Sequence, residues 1–239
     1  MVLAAGEGRR LRPLTDRQPK PMLPLGGKPL LEHNLRLLAH YGIREVAINL
    51  HFHPEAVEEY FGDGSRCGVE ITYSREPELL GTAGAVKKME SFFSEPFLVL
   101  YGDNFTDCNL DRLIHFHQEK SGLCTIAAFH RESVAASGII ALDATSRVTR
   151  FLEKPAPDQV FSNWVNAGIL VVEPAVLDLI PTGIARDFGR DVLPALLRAG
   201  HPIYGYPMTE NLLWIDSLED YQRSQEWFLT AGIADAGRI

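Results

Sequence analysis

Short apolar runs alternate with stretches whose apolar residues recur every three or four positions, and this alternation fills the first half of the chain. A run of four to six apolar residues suits a strand buried on both faces. A period of 3.6 suits a helix that packs one stripe against a sheet. Strands are predicted over 2–5, 45–50, 69–73, 97–101 and 124–129. Leu30, Leu31, Leu35 and Leu38 fall on one helical face, and Gly42 ends that helix. Further helices are predicted over 55–61, 83–93 and 110–120. Strands and helices taken in turn are the mark of an α/β fold with a parallel sheet.

The second half is more mixed. Strands are predicted over 138–142, 148–152, 165–172, 203–206 and 212–215, and helices over 175–180, 190–199 and 218–229. No boundary rich in Gly, Pro and Ser divides the chain, and no internal repeat is found. One α/β domain over 1–239 is expected, Rossmann-like and three-layered, with a mostly parallel mixed sheet.

Composition narrows the partners. With 239 residues and 46% hydrophobic content, the chain has enough apolar material for a large core. Lys and Arg number 23 against 31 Asp and Glu, a formal charge of −8. That balance argues against nucleic acid or an anionic membrane as the main partner. No segment reaches the length of a membrane span, and the start is too short and loop-like for a signal peptide, so a cytoplasmic location is expected. Cys67, Cys108 and Cys124 are odd in number and lack Cys-x-x-Cys spacing, as befits free thiols. Only Met1 to Ala5 precede a glycine loop, which leaves room for a native start a few residues earlier.

That loop carries the strongest chemical signal. Residues 3–28 read LAAGEGRRLRPLTDRQPKPMLPLGGK. Gly6 and Gly8 let backbone amides approach an anion, and Arg9, Arg10, Arg12 and Lys20 add charge at several reaches. Pro19 and Pro21 fix the backbone around Lys20 and lower the cost of ordering its ammonium. A dinucleotide fingerprint would need a third glycine where Leu11 stands. A Walker A loop would need Ser or Thr after Lys28, where Pro29 stands. Taken alone, Gly6-x-Gly8 is weak evidence and fits a plain glycine-rich turn about as well. Joined to Arg10, Pro13-Leu14-Thr15 and Pro19-Lys20-Pro21, it resembles the signature of the sugar-nucleotide pyrophosphorylases, which join a sugar 1-phosphate to a nucleoside triphosphate.

Four more motifs follow in the order that family has them: Gly81-Thr82-Ala83-Gly84, Gly102-Asp103, Glu153-Lys154-Pro155 with Asn166-Ala167-Gly168, and Trp214-Ile215-Asp216. The resemblance implies a nucleotide-binding half over about 1–125 and a sugar-phosphate-binding half over about 126–239. It implies catalytic roles for Arg10 and Lys20, and nucleotide contacts from Leu3, Ala4, Ala5, Gly6, Gly8, Glu76, Gly81 and Thr82. Gly138, Glu153, Lys154 and Asn166 would hold the sugar phosphate, and Asp103 with Asp216 would hold Mg²⁺. Departures exist: Arg9 stands where Thr or Ser is usual, Ser137 replaces an aromatic residue, and the turn after Asp216 is shorter by two residues.

Each motif also has a plainer reading. An isolated Asp103 would serve as a turn cap, Glu153-Lys154 as a solvated charge pair, and Thr82 as a helix N-cap. The pairs His51-x-His53 and His115-x-His117 match no zinc pattern and read as surface or second-shell histidines. Asp187-Phe-Gly-Arg-Asp191 reads as a helix start with capping charges. Trp164, Trp214 and Trp227 read as core or crevice wall.

The base is read from Glu76, which could accept from the N1–H and N2–H₂ edge of guanine; thymine and uracil lack that paired edge. GTP with mannose 1-phosphate is therefore the first expectation. The alternatives are UTP or dTTP with glucose, N-acetylmuramic acid or heptose 1-phosphates, a non-catalytic sugar-nucleotide-binding homologue, and a glycosyltransferase with a similar sheet. The sequence has no hexapeptide repeats, so no C-terminal β-helix is expected. Homo-oligomers through other surfaces stay open.

Overall fold

The computed structural model describes residues 1–230. Expectations that reach 231–239 lie outside the described residues. In chain order the elements are β1 (Val2–Leu3), β2 (Pro24–Leu25), β3 (Lys28–Pro29), α1 (Leu30–His40), β4 (Glu45–Leu50), α2 (Pro54–Phe61) and β5 (Glu70–Arg75). They continue as α3 (Gly81–Lys88), β6 (Phe97–Tyr101), β7 (Asn104–Thr106), α4 (Leu110–Lys120), β8 (Cys124–His130), β9 (Gly138–Leu142) and β10 (Val148–Glu153). The last are β11 (Trp164–Val172), α5 (Leu193–Arg198), β12 (Ile203–Pro207), β13 (Leu212–Trp214) and α6 (Leu218–Thr230).

Local chemistry explains most boundaries. α1 buries Leu30, Leu31, Leu35 and Leu38 and ends where Gly42 turns left-handed at φ 76°. There the Gly42 and Ile43 amides donate back to Ala39 and Leu38. β2 and β3 form a hairpin whose two turn residues, Gly26 and Gly27, both have positive φ, as a type I′ turn requires.

The helix predicted over 83–93 divides into α3 and a 3₁₀ turn, Glu90–Phe92. The one predicted over 175–180 is a 3₁₀ segment, Pro174–Leu179. The one predicted over 190–199 begins as a π-turn, Phe188–Val192, and continues as α5.

The fold is α/β with a mixed sheet, and its contacts gather into two compact units. The first takes residues 1–79, 100–108 and the stretch from Glu210 onward; the second takes 80–99 and 109–209. In the first, β1 lies parallel between β4 and the last residues of β6, with Val2 opposite both Ile48 and Leu100. β5 extends β4 in parallel, and β7 pairs antiparallel with β13. A core of Leu11, Leu23, Leu25, Leu30, Phe105, Ile215 and Phe228 lies in this unit. In the second unit β8 pairs parallel with β12 and antiparallel with β11, and β9 pairs antiparallel with β11 and β10. Among the described residues no helix is long and apolar enough to cross a membrane.

Candidate active site

Parallel strands deliver their chemistry at carboxyl ends, and β1, β4 and β6 do so here. β1 runs into the glycine loop. Gly8 sits at φ 64°, and a Cβ placed there would lie 2.9 Å from the Thr15 Cγ2 and 3.0 Å from the Lys20 Cβ. The Thr15 hydroxyl donates to the Gly8 carbonyl at 2.8 Å. The loop thus folds back on itself and brings Lys20 beside its glycine turn. Gly6 is more open: no atom lies within 4 Å of where its Cβ would be. Lys20 opens a single 3₁₀ turn between its two prolines.

Lys20 is buried, at 5% exposure. A buried ammonium is tolerable only when paired, and its partners are two carboxylates. Lys20 Nζ lies 2.8 Å from Asp103 Oδ2 and 3.3 Å from Asp216 Oδ1. Arg10 Nη2 reaches the same Asp216 oxygen at 3.1 Å.

Asp103 follows β6 through Gly102, where a Cβ would lie 2.9 Å from Val2 and 3.0 Å from the Leu3 carbonyl. Glycine is what lets this strand end run so close to β1. Asp216 follows β13, so the shorter turn after it does not carry it away from Lys20. Each carboxylate meets the cations through one oxygen, which leaves the other as a hard donor of the kind Mg²⁺ takes. The donor set therefore fits a metal that completes its shell with water and phosphate. Among the described residues no group of three or more His, Cys, Asp or Glu forms an all-protein cage.

β4 contributes a residue that sequence reasoning missed. The Ala4 amide donates to Asn49 Oδ1 at 2.9 Å, and Asn49 Nδ2 donates to Glu76 Oε1 at 2.9 Å. Glu76 is buried, and its carbonyl lies 2.7 Å from His51 Nδ1. The signal was present: Asn49 is a polar residue inside the apolar run Val-Ala-Ile-Asn-Leu, where it needs partners on both sides of its amide. Leu3, Ala4 and Ala5 are buried. Arg9 pairs with half-buried Glu7 at 2.5 Å and is itself 75% exposed, which accounts for the unusual cation without a phosphate.

The remaining candidates belong to the second unit. Gly81 opens α3 at φ 70°, and a Cβ there would lie 2.5 Å from the Arg186 carbonyl. That carbonyl accepts from the Ala83 and Gly84 amides. Asp187 Oδ1 accepts from the Thr82 amide and hydroxyl, each at 3.2 Å, and the Phe188 amide donates to Thr82 Oγ1 at 2.8 Å. Thr82 is thus a first-turn residue rather than the N-cap, and Asp187 caps α3 rather than its own helix start. Asp191 does cap locally, accepting from the Asp187 amide at 2.7 Å.

Glu153 ends β10 beside Gly138 on β9. A Cβ on Gly138 would come within 2.6 Å of Glu153 Oε2. No hydrogen bond or ion pair among the described residues engages this carboxylate. Burial pushes its pKa above the ordinary range, against the opposing pull of Lys154 and Arg190. Lys154 follows in a left-handed conformation, φ 50°, its amide donating to the Ser137 carbonyl at 3.0 Å. Asn166 Oδ1 accepts from the Gly168 amide at 2.9 Å, at an irregularity in the pairing of β11 with β8.

His117 corrects the reading of the histidines as surface or second-shell groups. It is buried in the second unit, its ring nitrogens 2.8 Å from the Thr125 hydroxyl and 3.1 Å from Glu173. Of the tryptophans, Trp164 meets His130 edge-on and Trp227 tilts against Phe105.

The sequence profile of the nucleotidyl transferase family matches residues 1–226. A UTP–glucose-1-phosphate uridylyltransferase of Synechocystis sp. is 37% identical over 235 residues, covering 92% of this chain and 61% of its own length. A mannose-1-phosphate guanylyltransferase of Mycobacterium tuberculosis is 37% identical over 241 residues, covering 98% of this chain and 65% of its own. The chain thus spans less than two thirds of either relative. Among solved structures, a putative glucose-1-phosphate thymidylyltransferase from Bacillus anthracis, in complex with sucrose, superposes with a TM-score of 0.85 at 22% identity. That match covers 94% of this chain and 92% of the other. A UDP-glucose pyrophosphorylase complexed with UDP-glucose gives 0.84 at 20% identity, covering 96% and 97%. At such identity these structures speak for the fold.

Proposed function

The chain belongs to the nucleotidyl transferase family, and on that premise we propose that it makes a sugar nucleotide and pyrophosphate from a nucleoside triphosphate and a sugar 1-phosphate. The observation that carries this reading is Lys20, buried at the glycine loop and held by Asp103 and Asp216 with Arg10 alongside. A phosphate oxygen of the sugar 1-phosphate attacks the α-phosphorus in line. The new P–O bond forms as the bond to the β-phosphate oxygen breaks, and pyrophosphate leaves. The attacking phosphate is already ionised, so no general base is required, and catalysis rests on positioning and charge stabilisation.

Each group then has a task. The loop amides from Gly6 to Gly8 and the Arg10 guanidinium bind the β- and γ-phosphates. Lys20 is held between its carboxylates and presented with its rotamer already fixed, so little ordering cost falls on substrate binding. Asp103 and Asp216 would hold Mg²⁺, which when bound neutralises phosphate charge. In the second unit Lys154 orients the sugar phosphate, and Glu153, beside Gly138, accepts from sugar hydroxyls together with Asn166. Glu153 suits that part because no donor among the described residues engages its carboxylate.

For the base we propose guanine, and for the sugar mannose. Glu76 supports the base: its carboxylate is pinned by Asn49, itself pinned by the Ala4 amide, a fixed acceptor suited to a paired donor edge. The second reading, UTP with glucose 1-phosphate, draws on the Synechocystis relative. Pyrophosphate release across GTP, UTP, dTTP, CTP and ATP, each with a panel of sugar 1-phosphates, separates them. Turnover with GTP and mannose 1-phosphate upholds the full reading; turnover with another pair keeps the reaction and discards the Glu76 argument. Silence from folded protein with Mg²⁺ present overturns the activity in favour of a sugar-nucleotide-binding role.

A further inference from the structure

Gly189 lies inside the π-turn Phe188–Val192, with no left-handed φ to demand a glycine. Glycine inside a helical turn is destabilising relative to alanine, so a reason must be sought in its surroundings. A Cβ at 189 would lie 2.4 Å from Glu153 Oε2, 3.0 Å from Glu153 Cδ and 3.5 Å from Glu153 Cγ. All three nearest atoms belong to one side chain. Gly138 bounds the same carboxylate on another side, but a Cβ there would also strike Phe151. Gly189 is therefore the cleaner probe.

The turn is not free to yield. Asp187 is tied to Thr82 on one side and to Asp191 on the other, and Phe188 is fully buried with its amide bonded to Thr82. A methyl group at 189 would leave the turn in place and drive the Glu153 carboxylate out of its seat. We propose that Gly189 is a positioning residue for sugar binding: its missing side chain is the space in which the Glu153 carboxylate is held. This rests on the reading of Glu153 as the acceptor for sugar hydroxyls.

A double-mutant cycle on the full chain tests it, with Gly189→Ala, Glu153→Ala and both together. Gly189→Ala is expected to raise KM for the sugar 1-phosphate about tenfold while KM for the nucleoside triphosphate stays within about twofold. In the Glu153→Ala background the same substitution is expected to change neither by more than about twofold, because the atoms it displaces are gone.

A second readout needs no turnover. Carboxyl NMR should find Glu153 titrating lower in Gly189→Ala than in the parent, as the carboxylate moves into water. A Gly189→Ala defect that persists undiminished without Glu153 would overturn the proposal, as would an unchanged Glu153 titration. A shifted titration with unchanged KM would remove Glu153 from sugar binding, and Gly189's part in the reaction with it. A parent protein with no turnover would instead mark failure of the proposed activity, while the titration still tests the contact.

Discussion

Glu153 carries a raised pKa chiefly because burial disfavours its charged form. The sign of the stability effect follows. A carboxyl whose folded pKa exceeds its unfolded value contributes stability below the unfolded pKa and loses it as pH rises through the folded one. Ionising Glu153 is thus a burden on the fold. Glu153→Gln is expected to raise Tm at pH 7, with the gap closing as pH falls below the ordinary carboxylate range; a lower Tm at pH 7 would contradict it. At this scale the sequence was legible where a residue type is chemically unusual in its setting. Lysine between prolines, glycine before aspartate, and arginine after a glycine turn all pointed to a site, and Lys20, Asp103, Asp216 and Arg10 do lie together. Asn49 and Gly189 were missed because their partners are distant in sequence and each looks ordinary in its own segment.

Elements behave differently, because periodicity needs length. Strands of five residues or more were placed to within a residue or two. The β2–β3 hairpin, with two residues in each strand, has no period to read, although Gly26-Gly27 marks its turn. A Cβ on Gly26 would lie 2.1 Å from the Phe228 ring, and its φ of 57° strains any other residue. Gly26→Ala is expected to cost roughly 2 kcal/mol or more in urea unfolding, through strain and overpacking together. A loss under about 0.5 kcal/mol would mean that the hairpin is not packed on α6 as described.

α3 begins two residues before its predicted start because Arg186 and Asp187 satisfy its first amides. No local pattern announces a cap supplied from another segment. Asp187→Ala is expected to lower stability by about 1–2 kcal/mol, the scale of losing a helix cap with a side-chain hydrogen bond. Urea unfolding checks this, and an unchanged midpoint would mean that water replaces the carboxylate without loss.

For the whole molecule, the alternation of strand and helix gave the α/β class. It could not give the way contacts divide the chain, since the first unit takes three separate stretches and composition does not change at their joints. Net charge bears on mechanism at this scale too. On the proposed reaction, a protein of charge −8 that binds two phosphate esters must rely on a local cationic site, and screening limits the repulsion from distant carboxylates to about a Debye length. That places the burden on Lys20, which is buried, paired and fixed, more than on the exposed arginines around it.

The most direct measurement is therefore kcat of Lys20→Ala against the parent protein, on the nucleotide and sugar 1-phosphate pair that turns over best. A fall of about 10²–10³ with the fold intact by circular dichroism is expected, the scale of removing one preorganised charge donor. A loss under about threefold, from protein equally well folded, would take Lys20 out of the reaction and the proposed mechanism with it.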